Sequence, residues 1–124
     1  MNGIDFCADT NFAIYYLDGL ACVEPYTTAG LAISVVTQLE ALSKPGMDRV
    51  EEEAVEAFIQ TCQVVELTDD IKQVVIELRR QHRLKLPDAI VAATAFWLNV
   101  PLLTADKGFS RVSGLDVVLL NPAQ

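Results

Sequence analysis

Histidine is almost missing from this chain of 124 residues. The single His82 stands beside three scattered cysteines, Cys7, Cys22 and Cys62, with no C-x-x-C pair. A structural zinc site needs about four Cys or His ligands at tight spacing, so that class is excluded. The cysteines read as small buried hydrophobes rather than reactive thiols. Long apolar runs are missing too, and no stretch approaches the roughly 20 residues that cross a bilayer. Met1 to Asp9 holds two acids and no base, unlike a secretory or organellar signal, so a cytoplasmic location without membrane contact is expected. No repeat, low-complexity tract or Pro/Gly-rich linker divides the sequence, which predicts a single domain over residues 1–124.

Positive charge is also scarce. Nine Lys and Arg face 17 Asp and Glu for a net charge of −8, a poor balance for indiscriminate nucleic-acid binding. The distribution is uneven. Five of the nine bases, Lys72, Arg79, Arg80, Arg83 and Lys85, fall in one short run with His82 among them, and five acids crowd between Asp48 and Glu56. The acidic run reads as a solvated helix face. Apolar residues, by contrast, are plentiful at 52%, which excludes intrinsic disorder and suffices for a core burying about two-thirds of the unfolded chain's surface.

Short β-like segments alternate with helical ones. Gly3 to Ala8 reads as a strand running into Asp9-Thr10-Asn11, an N-cap-like cluster that opens a helix through Leu17, broken at Gly19. Leu31 to Val35 predicts a second strand, giving way at Ser34 to a helix that ends before Pro45-Gly46. Apolar residues recur at helical spacing from Val50 to Cys62 and from Ile71 to Leu78, with a buried strand expected over Gln63 to Leu67. Pro87 suits the start of an alanine-rich helix reaching Trp97 or Leu98, in which Phe96 and Trp97 read as core. Val100 to Thr104 and Asp116 to Leu120 supply the last strands. This alternation predicts an α/β fold, a mostly parallel sheet of four to five strands covered by helices on both faces.

Ligand sites in such folds lie at the carboxyl ends of the strands. Four acids fall there or close by: Asp9 directly after the first strand, Glu40 in the helix after the second, Asp88 in the first turn of the alanine-rich helix, and Asp106 two residues past Thr104. Each alone has an ordinary role as helix cap, dipole complement, turn former or solvated side chain. Together they converge on one crevice, where like charges at short range cannot all ionise without a cation. Oxygen-only ligands select hard ions such as Mg²⁺ or Mn²⁺, and one or two such ions suit displacement at phosphorus.

"ADTN" at Ala8 to Asn11, "ISVVTQLEAL" at Ile33 to Leu42, "KLPDAIVAATA" at Lys85 to Ala95 and "LLTADKGF" at Leu103 to Phe109 resemble the PIN-domain ribonucleases, especially the VapC-type toxins of prokaryotic toxin–antitoxin pairs. The resemblance covers essentially the whole chain, in motif order and spacing. It implies a PIN-like three-layer α/β/α sandwich. It also implies a catalytic quartet of Asp9, Glu40, Asp88 and Asp106 holding Mg²⁺ or Mn²⁺, with Asn11 and Thr104 as polar helpers and Thr104 orienting Asp106. The implied activity is endonucleolytic RNA cleavage by metal-activated water, leaving a 5′-phosphate and a 3′-hydroxyl. The implied partners are an RNA substrate, a small antitoxin protein and a second copy in a homodimer, for which Tyr15 and Tyr16 are candidates. Many relatives carry a further acid where this chain has Gly108, so a second metal is expected to bind weakly or only with help from RNA phosphates.

Beside the quartet, Arg83, Lys85 and Lys107 are candidate RNA-backbone contacts, and His82 reads as an exposed helix-end residue rather than a base. A receiver-like signalling domain also gathers acids around Mg²⁺, but Asp9 has no adjacent acid and Glu66-Leu67 offers no phosphorylatable aspartate. A haloacid-dehalogenase-type phosphatase needs a second aspartate where Asn11 stands. The remaining alternative is a catalytically idle RNA-binding or interaction module on the same fold.

Overall fold

The computed structural model describes residues 3–123. Its elements run β1 (Phe6–Ala8), α1 (Thr10–Leu17), a 3₁₀ segment (Ala21–Tyr26), β2 (Leu31–Ser34), α2 (Val35–Leu42), α3 (Arg49–Gln60), β3 (Cys62–Val65), α4 (Asp69–Gln81), α5 (Leu86–Leu98), β4 (Leu102–Thr104), a second 3₁₀ helix (Lys107–Arg111) and β5 (Val117–Leu119). The five strands form one sheet in the order β3-β2-β1-β4-β5, parallel throughout. The first strand in sequence is therefore the central one.

Local chemistry sets most helix boundaries. Asp9, Ser34, Asp48 and Thr68 each cap a helix by accepting a bond from a backbone N–H of its first turn. In α4, Asp69 and Asp70 occupy the first turn and Arg79 and Arg80 the last, matching the helix dipole at both ends. Pro87 lies in the first turn of α5, and Asn99 closes that helix in the left-handed conformation at φ 56°. Gly30 permits a close approach: a Cβ there would fall 1.7 Å from the carbonyl oxygen of Gly3, so no other residue fits where β1 and β2 begin.

Alternation along the central strands feeds two cores, one on each face of the sheet. Cys7, Ala32 and Leu102 face α4 and α5, packing with Ile71, Val75 and the buried alanines of α5. Ala8, Leu31, Ile33 and Leu103 face the other way, against Phe12 of α1 and Val55, Phe58 and Ile59 of α3. That is the three-layer α/β/α arrangement, with α2 bridging the layers at the carboxyl edge through contacts to α1, α3 and α5.

Several expectations are corrected. Strand pairing is shorter than the apolar runs suggest. β1 begins at Phe6 rather than Gly3, β2 ends at Ser34, β4 begins at Leu102 and β5 spans only Val117–Leu119. β3 starts one residue early and is not a buried strand: it lies at the sheet's edge, where Gln63 is exposed. Of the cysteines only Cys7 is buried; Cys22 and Cys62 are half-buried. Trp97 is 48% exposed, because α5 rises out of the core in its last turn, whereas Phe96 packs against it. Tyr15 and Tyr16 are half-buried against the α1/α3 core, Tyr16 with its ring 4.8 Å from Phe58.

Candidate active site

In a parallel sheet the connections diverge where strand order reverses, opening a crevice beyond the carboxyl ends. Here the chain leaves β1 toward β2 on one side and returns to β4 on the other. Asp9 follows β1 and Asp106 follows β4, so both stand at that switch point.

Asp9 is 6% exposed. Its Oδ1 accepts from the backbone N–H of Phe12 at 3.0 Å, and its Oδ2 accepts from the Thr104 hydroxyl at the end of β4. The same Thr104 oxygen accepts from the N–H of Asp106 at 3.0 Å. One buried hydroxyl thus ties the Asp9 carboxylate to the backbone of Asp106; the side chain it holds is that of Asp9, and it reaches Asp106 only through the main-chain N–H. Asp106 in turn accepts from the N–H of Gly108 at 2.8 Å. A Cβ at position 108 would come within 3.0 Å of that carboxylate, so glycine leaves it room.

Glu40 reaches the group from α2. It is exposed, and its Oε1 accepts from the Thr10 hydroxyl at 2.7 Å. Thr10, the first residue of α1, is thus the polar side chain of this segment that touches one of the four acids through a hydroxyl. The Asn11 side chain makes no hydrogen bond among the described residues, and only its backbone N–H helps to stabilise the Asp9 carboxylate. Thr10 was overlooked because its partner lies 30 residues away, a pairing no local motif reveals.

Electrostatics couples the four acids. Burial pushes the Asp9 carboxyl above its ordinary value and Asp106 adds to the rise, while the bonds from Thr104, Phe12 and Asn11 oppose it. Asp88, in the first turn of α5, is also raised, first by burial and then by Asp106 and Glu40; Lys85 pulls it back. Like charges are thus brought within range of one another, a pressure that a cation would relieve. Burial also pushes the Cys7 thiol up to about 12, so this neighbour of the site is inert as a nucleophile.

Among the described residues, no three His, Cys, Asp or Glu side chains stand close enough to grip one ion on their own. Mg²⁺ does not require such a cage, because it keeps several waters and is bound through one or two carboxylates plus substrate phosphates. An all-oxygen set of acids, two of them raised, fits a hard divalent ion in kind.

A cleft of about 370 Å³ opens beside Asp88 and Asp106. Its walls include Arg83 and Lys85 from the α4–α5 connection and Arg111 from the second 3₁₀ helix. His82, the C-cap of α4, is half-buried in the same wall. Lys107 is exposed and does not line the cleft, whereas Arg111, which the sequence motifs do not single out, does. Apolar residues spaced three apart, Phe109 and Val112, are the signal that could have found it, since that period puts Gly108 and Arg111 on one face.

Over residues 6–115 the chain matches the PIN domain model, and it belongs to the PIN domain family. Solved structures with the same fold include chains of toxin–antitoxin complexes. A chain of a toxin–antitoxin complex from Klebsiella pneumoniae is 27% identical, over 92% of this chain and 96% of that one, with a TM-score of 0.79. A chain of VapBC-1 from nontypeable Haemophilus influenzae is 21% identical over 94% and 98%, TM-score 0.78. A chain of VapBC2 from Rickettsia felis, solved with a DNA fragment from its promoter, is 17% identical over 95% and 100%, also at 0.78. The last two likenesses are of fold alone. No curated protein matches the chain. The VapC-type resemblance read from the four motifs therefore holds for both family and fold.

Proposed function

We propose that this protein is a divalent-metal-dependent endoribonuclease acting as the toxin of a toxin–antitoxin pair. The observation that carries the reading is the Thr104 bridge, which fixes Asp9 and Asp106 at the sheet's switch point while burial and like charge raise Asp9. Asp9, Glu40, Asp88 and Asp106 would hold Mg²⁺ or Mn²⁺, one ion or two. Once bound, such an ion activates water toward phosphorus and stabilises the leaving oxygen. The protein's own contribution is positional. Thr104 and the N-terminus of α1 hold Asp9, Thr10 holds Glu40, and Gly108 holds Asp106. Lys85 moderates the charge on Asp88, and the basic wall of the cleft attracts the RNA backbone.

An antitoxin has a surface to use. Between α1, α2 and α3 lies an apolar groove of about 370 Å³. Ile14, Leu17 and Val50 on its walls are at least 38% exposed, and an amphipathic segment would cover them. Among the described residues no helix is long and apolar enough to cross a membrane.

The test is induction in a bacterial host beside Asp9→Asn, with growth and new RNA 5′-ends recorded. Growth arrest with cuts at a few sites, both lost in the variant, is expected. Folded protein that yields no new ends, in the host or on purified RNA with Mn²⁺, would overturn the reading in favour of an idle module.

A further inference from the structure

In a chain with 17 acids and nine bases, most cations should find a carboxylate nearby. Among the described residues only Lys44, Arg49 and Lys72 form ion pairs, all with acids outside the candidate site. The unpaired guanidiniums include Arg83 and Arg111, which both line the cleft beside Asp88 and Asp106 although they come from different elements.

Arg111 is the better placed for a specific contact. It ends the 3₁₀ helix Lys107–Arg111, between Phe109 and Val112, each 3% exposed, which pin its backbone from both sides. Residues three apart in a 3₁₀ helix share a face, so Arg111 shares the face of Gly108 while Lys107 and Ser110 share another. Both Gly108 and Arg111 line the cleft. Gly108 has no side chain to screen the space between Asp106 and the guanidinium. A planar, permanently charged fork on a rigid base suits bidentate contact with a phosphate.

We infer that Arg111 binds a backbone phosphate of the substrate strand, adjacent to the phosphodiester presented to the acids, with the side-chain-free face of Gly108 as the passage between them. The inference rests on the nuclease reading and adds to it a positioned phosphate seat. The strand enters this seat through its backbone, whatever its base sequence.

The test uses Asp9→Asn protein, which leaves the RNA intact, and a labelled mixed-sequence single-stranded RNA titrated over a range of salt. Adding Arg111→Ala should weaken binding about five- to tenfold and reduce the slope of log affinity against log salt by about 0.7, the value for one phosphate contact on a single strand. Arg111→Lys should restore the slope and part of the affinity. Arg49→Ala, on α3 and paired with Glu53, should change neither. Salt-dependent binding by the parent that Arg111→Ala leaves unaltered would overturn the phosphate seat while sparing the nuclease reading. A parent that binds no RNA at any salt would overturn both. Unchanged melting temperatures would show that each variant is folded, as the exposure of Arg111 leads one to expect.

Discussion

The protein has two concentrations of acid, and they behave as opposites. Along α3 and its cap, Asp48, Glu51, Glu52, Glu53 and Glu56 are all exposed; Glu51 pairs with Lys44 at 3.1 Å and Glu53 with Arg49 at 3.5 Å. At the carboxyl edge, Asp9, Glu40, Asp88 and Asp106 come from four separate elements, and Asp9 and Asp88 are raised by burial and by one another's neighbours. The α3 run is the more conspicuous in sequence. What separates the groups is convergence, and for Asp9 and Asp88 desolvation as well: acids spread along one solvated helix face need no ligand, whereas a carboxylate held out of water beside other acids awaits one.

The largest break in this contrast should come from neutralising single acids. Asp9→Asn or Asp106→Asn is expected to lower RNA cleavage by about a thousandfold or more, while Glu52→Gln and Glu56→Gln stay within about twofold, read from initial cleavage rates with Mn²⁺. Next is metal-dependent stability. Millimolar Mn²⁺ should raise the melting temperature of the wild type, since a ligand at 100 times its dissociation constant adds about 2.7 kcal/mol; Asp9→Asn should lose most of that gain.

The third prediction concerns pH in the absence of metal. A carboxyl raised above its unfolded value binds its proton more readily in the native state, so ionising it opposes folding. That cost is absent well below the ordinary value of 3.8 and grows as pH rises through the raised native value. Asp9→Asn should therefore melt a few degrees higher than wild type at pH 7, and the gap should close as pH falls toward 4. A variant less stable than wild type at pH 7 would show that the bonds from Thr104 and Phe12 outweigh the burial.

The smallest expected effect separates two buried threonines. Thr94 in α5 donates its hydroxyl proton to the Ile90 carbonyl, but the Thr37 hydroxyl in the first turn of α2 has no partner among the described residues. Four residues before Thr37 is Ile33, already in β2, so no carbonyl of its own helix is in reach. Thr37→Val should stabilise the fold by about 1 kcal/mol in denaturant titration, whereas Thr94→Val should not.

How much of this was legible follows from which interactions are local. Apolar periodicity from Ile71 to Leu78 places α4 to within three residues at each end, and Pro87 with the alanine-rich run places α5 almost to the residue. The edge strands were misjudged because apolar content does not reveal which strand ends up outermost: Gln63 faces solvent in a segment that reads as core. Both 3₁₀ segments went unforeseen, the first carrying Pro25 within it and the second too short for a periodic signal. Motif spacing and strand ends point to the four acids, which the fold brings within electrostatic range of one another. Thr10 and Arg111 do not stand out in the sequence because their placement exists only across the fold, between Thr10 and Glu40 or around a cleft whose walls are far apart in sequence.

The central position of β1 also bears on synthesis. Asp9 and Glu40 are made early, but the hydroxyl that holds Asp9 lies 95 residues later, on a strand that must dock beside β1. A chain still growing on the ribosome, short of β4, has Asp9 in water, with neither the bridge nor the neighbouring charge of Asp106. The assembled site thus exists only after β4 has been made and has docked beside β1, and whatever it does is withheld until then.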